Sequence, residues 1–352
     1  MLPIAIYYEH SEWFRPLFTA LDRRGTPYVP IDARSHRFDP AEGDADYSVL
    51  LNRMSPSAYL RGSGHAIFYT LAYLEHLERR GVRVINGLEA FRVEISKARQ
   101  VALLDSLGLP YPRTRVINSP YEAPVAASGL RFPVVVKPNI GGSGARIARF
   151  EDVESLREAA GDGGLDLGPD RTGLVQEFLP ARGGYITRVE LLDGEFLYAI
   201  RVYPPEEGFN LCPADICHPV PDAGPEAVAG AGSVTVVESG PGAVAETDRA
   251  KGEASSVPPG FAARVEACRP PEAVISAVKR IAAAANIEVG GVEFLVDDRD
   301  GGVSYYDINA LSNFVTDARR VVGFDPFERL VDFLEREARK VCLRIPAAAP
   351  CL

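Results

Sequence analysis

Three oxygen-bearing side chains near the end of the chain have the spacing of a metal site. Glu293 is the one acid inside the apolar run Gly290-Gly291-Val292-Glu293-Phe294-Leu295-Val296, and Tyr305-Tyr306-Asp307-Ile308-Asn309 follows after the turn-forming stretch Asp298-Arg299-Asp300-Gly301-Gly302. The two runs read as an antiparallel pair. Side chains alternate across a strand, so Asp307 and Asn309 share one face, and Glu293 joins them when the strands are in register. Three hard oxygen donors on a rigid sheet suit Mg²⁺, which keeps water in its shell and takes further ligands from phosphates. An acid inside an apolar strand is costly unless it is paired or metal-bound. An ion pair with a nearby Arg or Lys is therefore the competing reading of Glu293. Asp297, Asp298 and Asp300 belong to the turn and are expected in solvent.

A second group carries positive charge and backbone donors. The run Phe132-Pro133-Val134-Val135-Val136-Lys137 brings a lysine to a strand end, and Pro138-Asn139-Ile140-Gly141-Gly142-Ser143-Gly144 follows at once. Glycines let successive N–H groups converge on an anion, and Lys137 adds a point charge. The loop matches neither the Walker A pattern nor the dinucleotide fingerprint. Taken alone, a surface hairpin with a solvated lysine explains it equally well. Two further segments shift that balance: Glu94-Ile95-Ser96-Lys97, which opens a helix, and Gln176-Glu177-Phe178-Leu179, a strand end whose backbone can meet a purine edge.

The elements that must position these groups can be read from the pattern. The 352 residues are enough for two or three domains, with 46% hydrophobic and 24% charged residues. Strands at 3–8, 28–32, 47–53 and 82–87 alternate with helices at 13–24 and 65–80, which implies an open, mostly parallel α/β sheet. A helix is expected at 94–107. Strands follow at 113–117, 133–137, 145–149, 174–178, 187–192 and 195–203, in a more antiparallel arrangement. A last α+β section holds helices 272–285 and 325–340 and strands 291–296 and 303–308. Residues 219–260, rich in Gly, Ala, Pro, Val and Glu, read as a flexible insertion, because such a composition buries too little apolar surface to offset its ordering.

Composition also excludes some partners. The net charge is −10 and no basic block stands out, so a nucleic-acid surface is not expected. No apolar run reaches the roughly 20 residues of a membrane span. The N-terminus lacks the basic region and cleavage site of a signal peptide. Five scattered cysteines, odd in number and without a CxxC pair, fit a reducing cytoplasm. Cys212 and Cys217 are candidates to face a substrate, with small buried cysteines as the plainer reading.

In their order and spacing, these parts resemble the ATP-grasp superfamily, most closely its ribosomal-S6-modification and glutathione-synthetase-like branch. The likeness runs from about Val49 to Leu334. It is carried by Gly81-Val82-Arg83-Val84-Ile85-Asn86-Gly87, by Ser96-Lys97, by Leu107-Gly108-Leu109-Pro110-Tyr111-Pro112-Arg113-Thr114, and by Asp307-Ile308-Asn309 in place of the usual Glu-x-Asn. The resemblance implies an N-terminal pre-ATP-grasp α/β domain over 1–92 and a two-lobed ATP-grasp fold over 93–345. It implies that Lys97 and Lys137 contact nucleotide phosphates, that Ser143 and Gly144 lie in the loop over them, and that Gln176, Glu177, Phe178 and Leu179 line the adenine pocket. Arg188, Arg201 and Asn210 are implied contacts for phosphate or carboxylate. Glu293, Asp307 and Asn309 would hold Mg²⁺, with Mn²⁺ as a substitute.

The sequence departs from the branch in three places. Tyr185 stands near the usual ribose-binding aspartate, Glu293 and Asp307 exchange acid lengths, and Ala310-Leu311-Ser312-Asn313-Phe314 replaces Ser-x-Pro-Gly. The implied activity is an ATP-dependent carboxylate–amine ligase working through an acyl phosphate, on small-molecule carboxylate and amine substrates or a peptide, in a chain free to form a homo-oligomer. A kinase acting on a small molecule, and a nucleotide-binding module without turnover, are the alternatives. Tyr8, Glu9, His10, Trp13 and Arg53, near strand ends of the first domain, are the expected substrate-selecting residues.

Overall fold

The computed structural model describes residues 2–41, 45–142, 144–204 and 264–344, with residues 342–344 described in their backbone alone. Ser143, Asn210, Cys212, Cys217 and the expected insertion at 219–260 lie outside the described residues.

Four short strands, β1 (Ile4–Tyr8), β2 (Tyr28–Asp32), β3 (Val49–Arg53) and β4 (Val84–Ile85), form a parallel sheet in the order β2-β1-β3-β4. β1 and the Val49–Leu51 part of β3 are apolar and buried on both faces, as a covered parallel sheet requires. The crossover helices are α1 (Arg15–Arg24) and α2 (Gly64–Arg79). α1 stops at Gly25, whose φ of 65° is the left-handed C-terminal cap that glycine adopts freely.

Helices α3 (Leu88–Glu94) and α4 (Lys97–Ser106) lead to a second sheet. Its strands β5 (Thr114–Ile117), β6 (Val134–Pro138), β7 (Ala148–Phe150) and β8 (Gly173–Glu177) pair antiparallel in the order β5-β8-β6-β7, against α5 (Ala123–Ala126) and α6 (Val153–Gly161). The third sheet is antiparallel, in the order β11-β10-β9-β12-β13, with β9 (Ile186–Leu192), β10 (Glu195–Tyr203), β11 (Arg264–Cys268), β12 (Val289–Val296) and β13 (Val303–Asn309). Asp193 and Gly194 both take positive φ in the β9–β10 turn, the geometry that lets a two-residue hairpin follow the sheet twist. Helices α7 (Glu272–Ala284), α8 (Ala318–Val321) and α9 (Pro326–Arg344) complete the described chain.

The third sheet is the centre of the molecule. One face shares a core with the first sheet and with α9, through residues such as Ile6, Leu51, Ile200, Val289 and Leu334. The other face is covered by α4 and α7, through Leu104, Val278 and Ile281. No described helix is long and apolar enough to cross a membrane.

Several elements differ from expectation, each for a local reason. The helix expected at 94–107 begins only at Lys97, and Glu94 instead ends a separate helix, α3, that was not expected. Ser96 separates the two by taking an extended conformation and capping α4, where its side chain accepts from the Arg99 N–H. The helix expected from residue 13 opens as a 3₁₀ turn, Ser11–Phe14, before α1. The strand expected at 145–149 is shifted to β7, because Gly144 and Arg146 adopt positive φ in the turn before it. β11, an edge strand of mostly exposed residues, has no hydrophobic alternation to betray it. Asp297 is not in solvent: it is buried, and its carboxylate receives the Arg299 guanidinium at 2.7 Å. That pairing holds its pKa below the usual carboxylate range, against the cost of burial.

Candidate active site

Strand register assembles the centre of the site. Glu293 on β12 lies directly opposite Asp307 on β13 and directly opposite Arg188 on β9, so three charged side chains form one row across the sheet. A bulge after Glu293 re-aims the strand beyond it. Arg188 is buried and every nitrogen of its guanidinium is engaged. Nε donates to Glu190 Oε1 at 2.5 Å, one terminal nitrogen to Glu293 Oε1 at 2.8 Å and the other to Ser312 Oγ at 3.0 Å. Ser312 Oγ in turn donates to Glu190 Oε2 at 2.6 Å. Burial disfavours the charge on Arg188, but Glu190 and Glu293 outweigh it and its pKa is raised. This network fixes Glu293 and engages each of the three guanidinium nitrogens of Arg188.

Lys97, the first residue of α4, makes an ion pair with Asp307. The helix start is held by Asn139, whose carbonyl oxygen Oδ1 receives the Ala98 N–H at 2.9 Å and whose backbone carbonyl receives the Lys97 N–H at 3.2 Å. The loop after β6 is thus bonded to the helix that carries Lys97. Burial pulls the Lys97 pKa down, and Asp307 more than restores it. Burial pushes Asp307 up, and Lys97 and Lys137 together bring it below its ordinary value. Glu293 goes the other way: burial raises it, Arg188 opposes, and the facing Asp307 carboxylate reinforces the rise.

Lys137 is 6% exposed near the end of β6, with no carboxylate in ion-pairing range among the described residues. Burial, helped by repulsion from Lys97, pushes its pKa down to about 7. A desolvated, unpaired amine of this kind is a site for an anion. The glycine loop lies close to it. A Cβ on Gly141 would lie 3.5 Å from Lys97 Cε, and one on Gly142 would come within 2.8 Å of Ser57 Cβ, so the second approach requires glycine.

These groups open on one cavity of about 620 Å³, which Lys97, Lys137, Gly144, Arg188, Glu293, Asp307 and Asn309 line together with Gln176, Glu177, Phe178 and Leu179. Gln176 is fixed by a bond from its Nε2 to Thr114 Oγ1 at 2.8 Å. Glu177 accepts the Arg131 backbone N–H at 2.9 Å, and the Arg149 guanidinium covers the Phe178 ring at 4.3 Å. The first sheet also reaches the cavity. Its strand order reverses direction between β1 and β3, and ligands of open α/β sheets bind at such a switch point, beyond the carboxyl ends of the strands. The loops leaving those two strands supply Trp13, Ser55, Pro56 and Ser57 to the cavity wall.

The structure does not bring every expected residue here. Arg201 pairs in register with Thr187, one position out of step with Arg188, and so points from the opposite face, where it stacks on Tyr185 at 4.8 Å. Tyr185 itself lines the cavity. His10 stacks on Trp13 at 5.0 Å, and Arg53 is buried beneath the wall, donating to the Ser312 carbonyl. Three residues were not anticipated as part of the site: Glu94, Glu190 and Ser312. Glu190 and Glu94 carried the signal that marked Glu293, an acid amid buried apolar neighbours.

Glu293, Asp307 and Asn309 fit a hard divalent cation. They supply two opposed carboxylates and an amide oxygen. Among the described residues no group of three His, Cys, Asp or Glu comes together. Such a set suits an ion that completes its shell with phosphate oxygens and water, not a closed protein cage.

No family model matches the chain. It is 33% identical over 125 residues to D-alanine–D-alanine ligase of Ectopseudomonas mendocina (strain ymp), covering 36% of this chain and 38% of that protein. It is 37% identical over 151 residues to tetrahydromethanopterin:alpha-L-glutamate ligase of Methanosarcina acetivorans, covering 40% and 46% respectively. The chain therefore matches less than half the length of these two relatives. Among solved structures, the ATP-grasp ligase PsnB complexed with a minimal precursor superposes with a TM-score of 0.62 at 19% identity, over 96% of this chain and 100% of that one. PsnB is also known with minimal precursor, Mg and ADP, at a TM-score of 0.57 and 19% identity, over 95% and 97% of the two chains. At such identities the likeness establishes the fold.

Proposed function

We propose that this chain, which shares its fold with ATP-grasp ligases and segments of its sequence with two ligases, is itself an ATP-grasp protein: an ATP- and Mg²⁺-dependent ligase that joins a carboxylate to an amine through an acyl phosphate. The observation that carries the reading is the row Arg188–Glu293–Asp307, with Lys97 on Asp307 and the unpaired Lys137 in the same cavity. In this reading residues 1–92 form the substrate-side domain and 93–345 the two-lobed unit that grips the nucleotide. The substrates are small carboxylates and amines or a peptide, and the working form is open to homo-oligomerisation.

Each group then has a role. Lys137, desolvated and without a partner, takes the polyphosphate, and binding restores its full charge. Lys97 exchanges Asp307 for a phosphate oxygen. Gly142 and Gly144 bring backbone N–H groups to the same anion, with Ser143 between them in sequence. The segment Gln176–Leu179 meets the adenine. Glu293, Asp307 and Asn309 would hold Mg²⁺ (or Mn²⁺), which when bound neutralises charge on the phosphates. Arg188 acts by orienting Glu293, since each of its guanidinium nitrogens is bonded to Glu190, Glu293 or Ser312. Phosphoryl transfer to a carboxylate needs positioned charge more than a protein nucleophile, and this set supplies it.

The test is phosphate release with ATP, Mg²⁺ and pools of amino acids. Release that requires both a carboxylate and an amine, and that is abolished by Asn309→Ala, is expected. Phosphate retained on the product, or unchanged turnover in the variant, would contradict the reading.

A further inference from the structure

The proposed reaction needs a group that removes a proton from the attacking amine. Lys97 and Lys137 are donors, and Glu293 and Asp307 are engaged by Arg188 and Lys97. Glu94, the last residue of α3, is placed differently. It is buried, and its Oε2 accepts the backbone N–H groups of Ala310 and Leu311, the second at 3.1 Å. Those residues begin the turn after β13, and the same turn is held at Ser312 by Arg53 and Arg188. Both of these bonds fall on Oε2, none among the described residues falls on Oε1, and Glu94 lines the cavity together with Lys97, Asp307, Leu311 and Ser55. One carboxylate oxygen is thus anchored by the turn, and the other is not.

Resting on the ligase reading, we propose that Glu94 is the base that accepts the proton of the substrate ammonium. The ammonium gives one proton to Oε1 and becomes a neutral amine. Its nitrogen attacks the acyl carbon, the C–N bond forms, and the C–O bond to phosphate breaks with the electron pair leaving on phosphate. The second nitrogen proton goes with the departing phosphate, and Glu94 later returns its own to solvent. The groups facing Glu94 are Arg53 from β3, Lys97 from α4 and Asp307 from β13. Burial, reinforced by Asp307, outweighs the two N–H bonds and Lys97 and pushes Glu94 up to about 7. A carboxyl there can accept and release a proton near neutral pH.

Glu94→Gln tests this, because a glutamine oxygen can still accept both backbone N–H groups while the side chain cannot take a proton. Two acceptors are compared in the presence of ATP, Mg²⁺ and a pool of the common amino acids with D-alanine: the amines of the pool itself, and added hydroxylamine, which is already neutral at pH 7. In the variant, amide formation should fall by about 10²–10⁴-fold, while hydroxamate formation stays near the wild-type rate. In the wild type, the amide rate should rise with pH up to about 7, and that limb should be missing from hydroxamate formation. Equal loss with both acceptors would overturn the proposal in favour of a structural role for the turn, and no loss with either would overturn it outright. A wild-type protein that forms neither product would overturn the ligase reading, and this proposal with it.

Discussion

Gly142→Ala isolates the contact between the glycine loop and the substrate-side sheet. Gly142 does not adopt a left-handed φ, so alanine brings no backbone strain of its own. The added Cβ meets Ser57 Cβ at 2.8 Å, about 1 Å inside ordinary carbon–carbon contact. Ser57 cannot yield by rotating, because the clash is with its Cβ. Its hydroxyl also bonds Ser55 Oγ at 2.8 Å and receives an Arg61 nitrogen at 3.2 Å, while Arg61 is held by the buried Glu9. The loop must therefore move. Overpacking of this kind costs about 1–3 kcal/mol, which corresponds to a loss of about 5- to 150-fold in affinity if the strain falls on the nucleotide-bound loop. Calorimetric titration of ATP with Mg²⁺ reads the loss, and a melting curve of the free protein shows how much falls on the fold instead. The decisive comparison is the double variant with Ser57→Gly, which removes the opposing Cβ. Its affinity should recover beyond the sum of the single effects by at least about 1 kcal/mol. A double variant that is additive within about 0.5 kcal/mol, or a Gly142→Ala protein that binds normally, would refute the close approach.

Three further outcomes follow from buried charge. Lys137 titrates at about 7 in the free protein, from its ordinary 10.5. ATP must bind its charged form, so binding should take up a proton above pH 7 and the apparent Kd should rise with pH by up to about tenfold per unit; calorimetry in buffers of different ionisation enthalpy measures the uptake, and a pH-independent Kd would contradict it. Glu94 is raised from 4.5 to about 7 in the folded state, so the fold holds more protons than the unfolded chain across that window and stability falls as pH rises through it. Glu94→Gln should then stabilise the protein at pH 8 by on the order of 3 kcal/mol and by little at pH 4, as read by urea unfolding. Arg188→Met leaves Glu190 and Glu293 buried without their partner and should destabilise by about 3–5 kcal/mol; a variant as stable as the parent would show that the network in Arg188, Glu190 and Ser312 is not the structural anchor described.

Much of the site could be read from sequence because its chemistry sits on strands. Glu293 and Asp307 are acids in apolar runs joined by a short turn, and that pattern nearly determines their pairing; the register places them directly opposite one another. Lys137 and the glycines after it were visible for the same reason. What was hidden depends on side-chain parity across long hairpins. Arg188 and Arg201 look equivalent in sequence, yet β10 carries an irregularity between Phe196 and Tyr198, and the register that results puts Arg201 on the other face. Glu94 was hidden because it was read as the first residue of the next helix, whereas it ends the one before. Only the break at Ser96 frees its carboxylate to reach the turn after β13, a contact between residues more than 200 positions apart. β11 was missed because an exposed edge strand needs no hydrophobic alternation.

The central claim is that this cleft activates a carboxylate as an acyl phosphate. Oxygen-isotope transfer measures that step directly. With ATP, Mg²⁺, an amine and a carboxylate substrate labelled with ¹⁸O in both oxygens, the account predicts one labelled oxygen in the inorganic phosphate for each amide formed. Unlabelled phosphate, or phosphate that stays on the product, would contradict it.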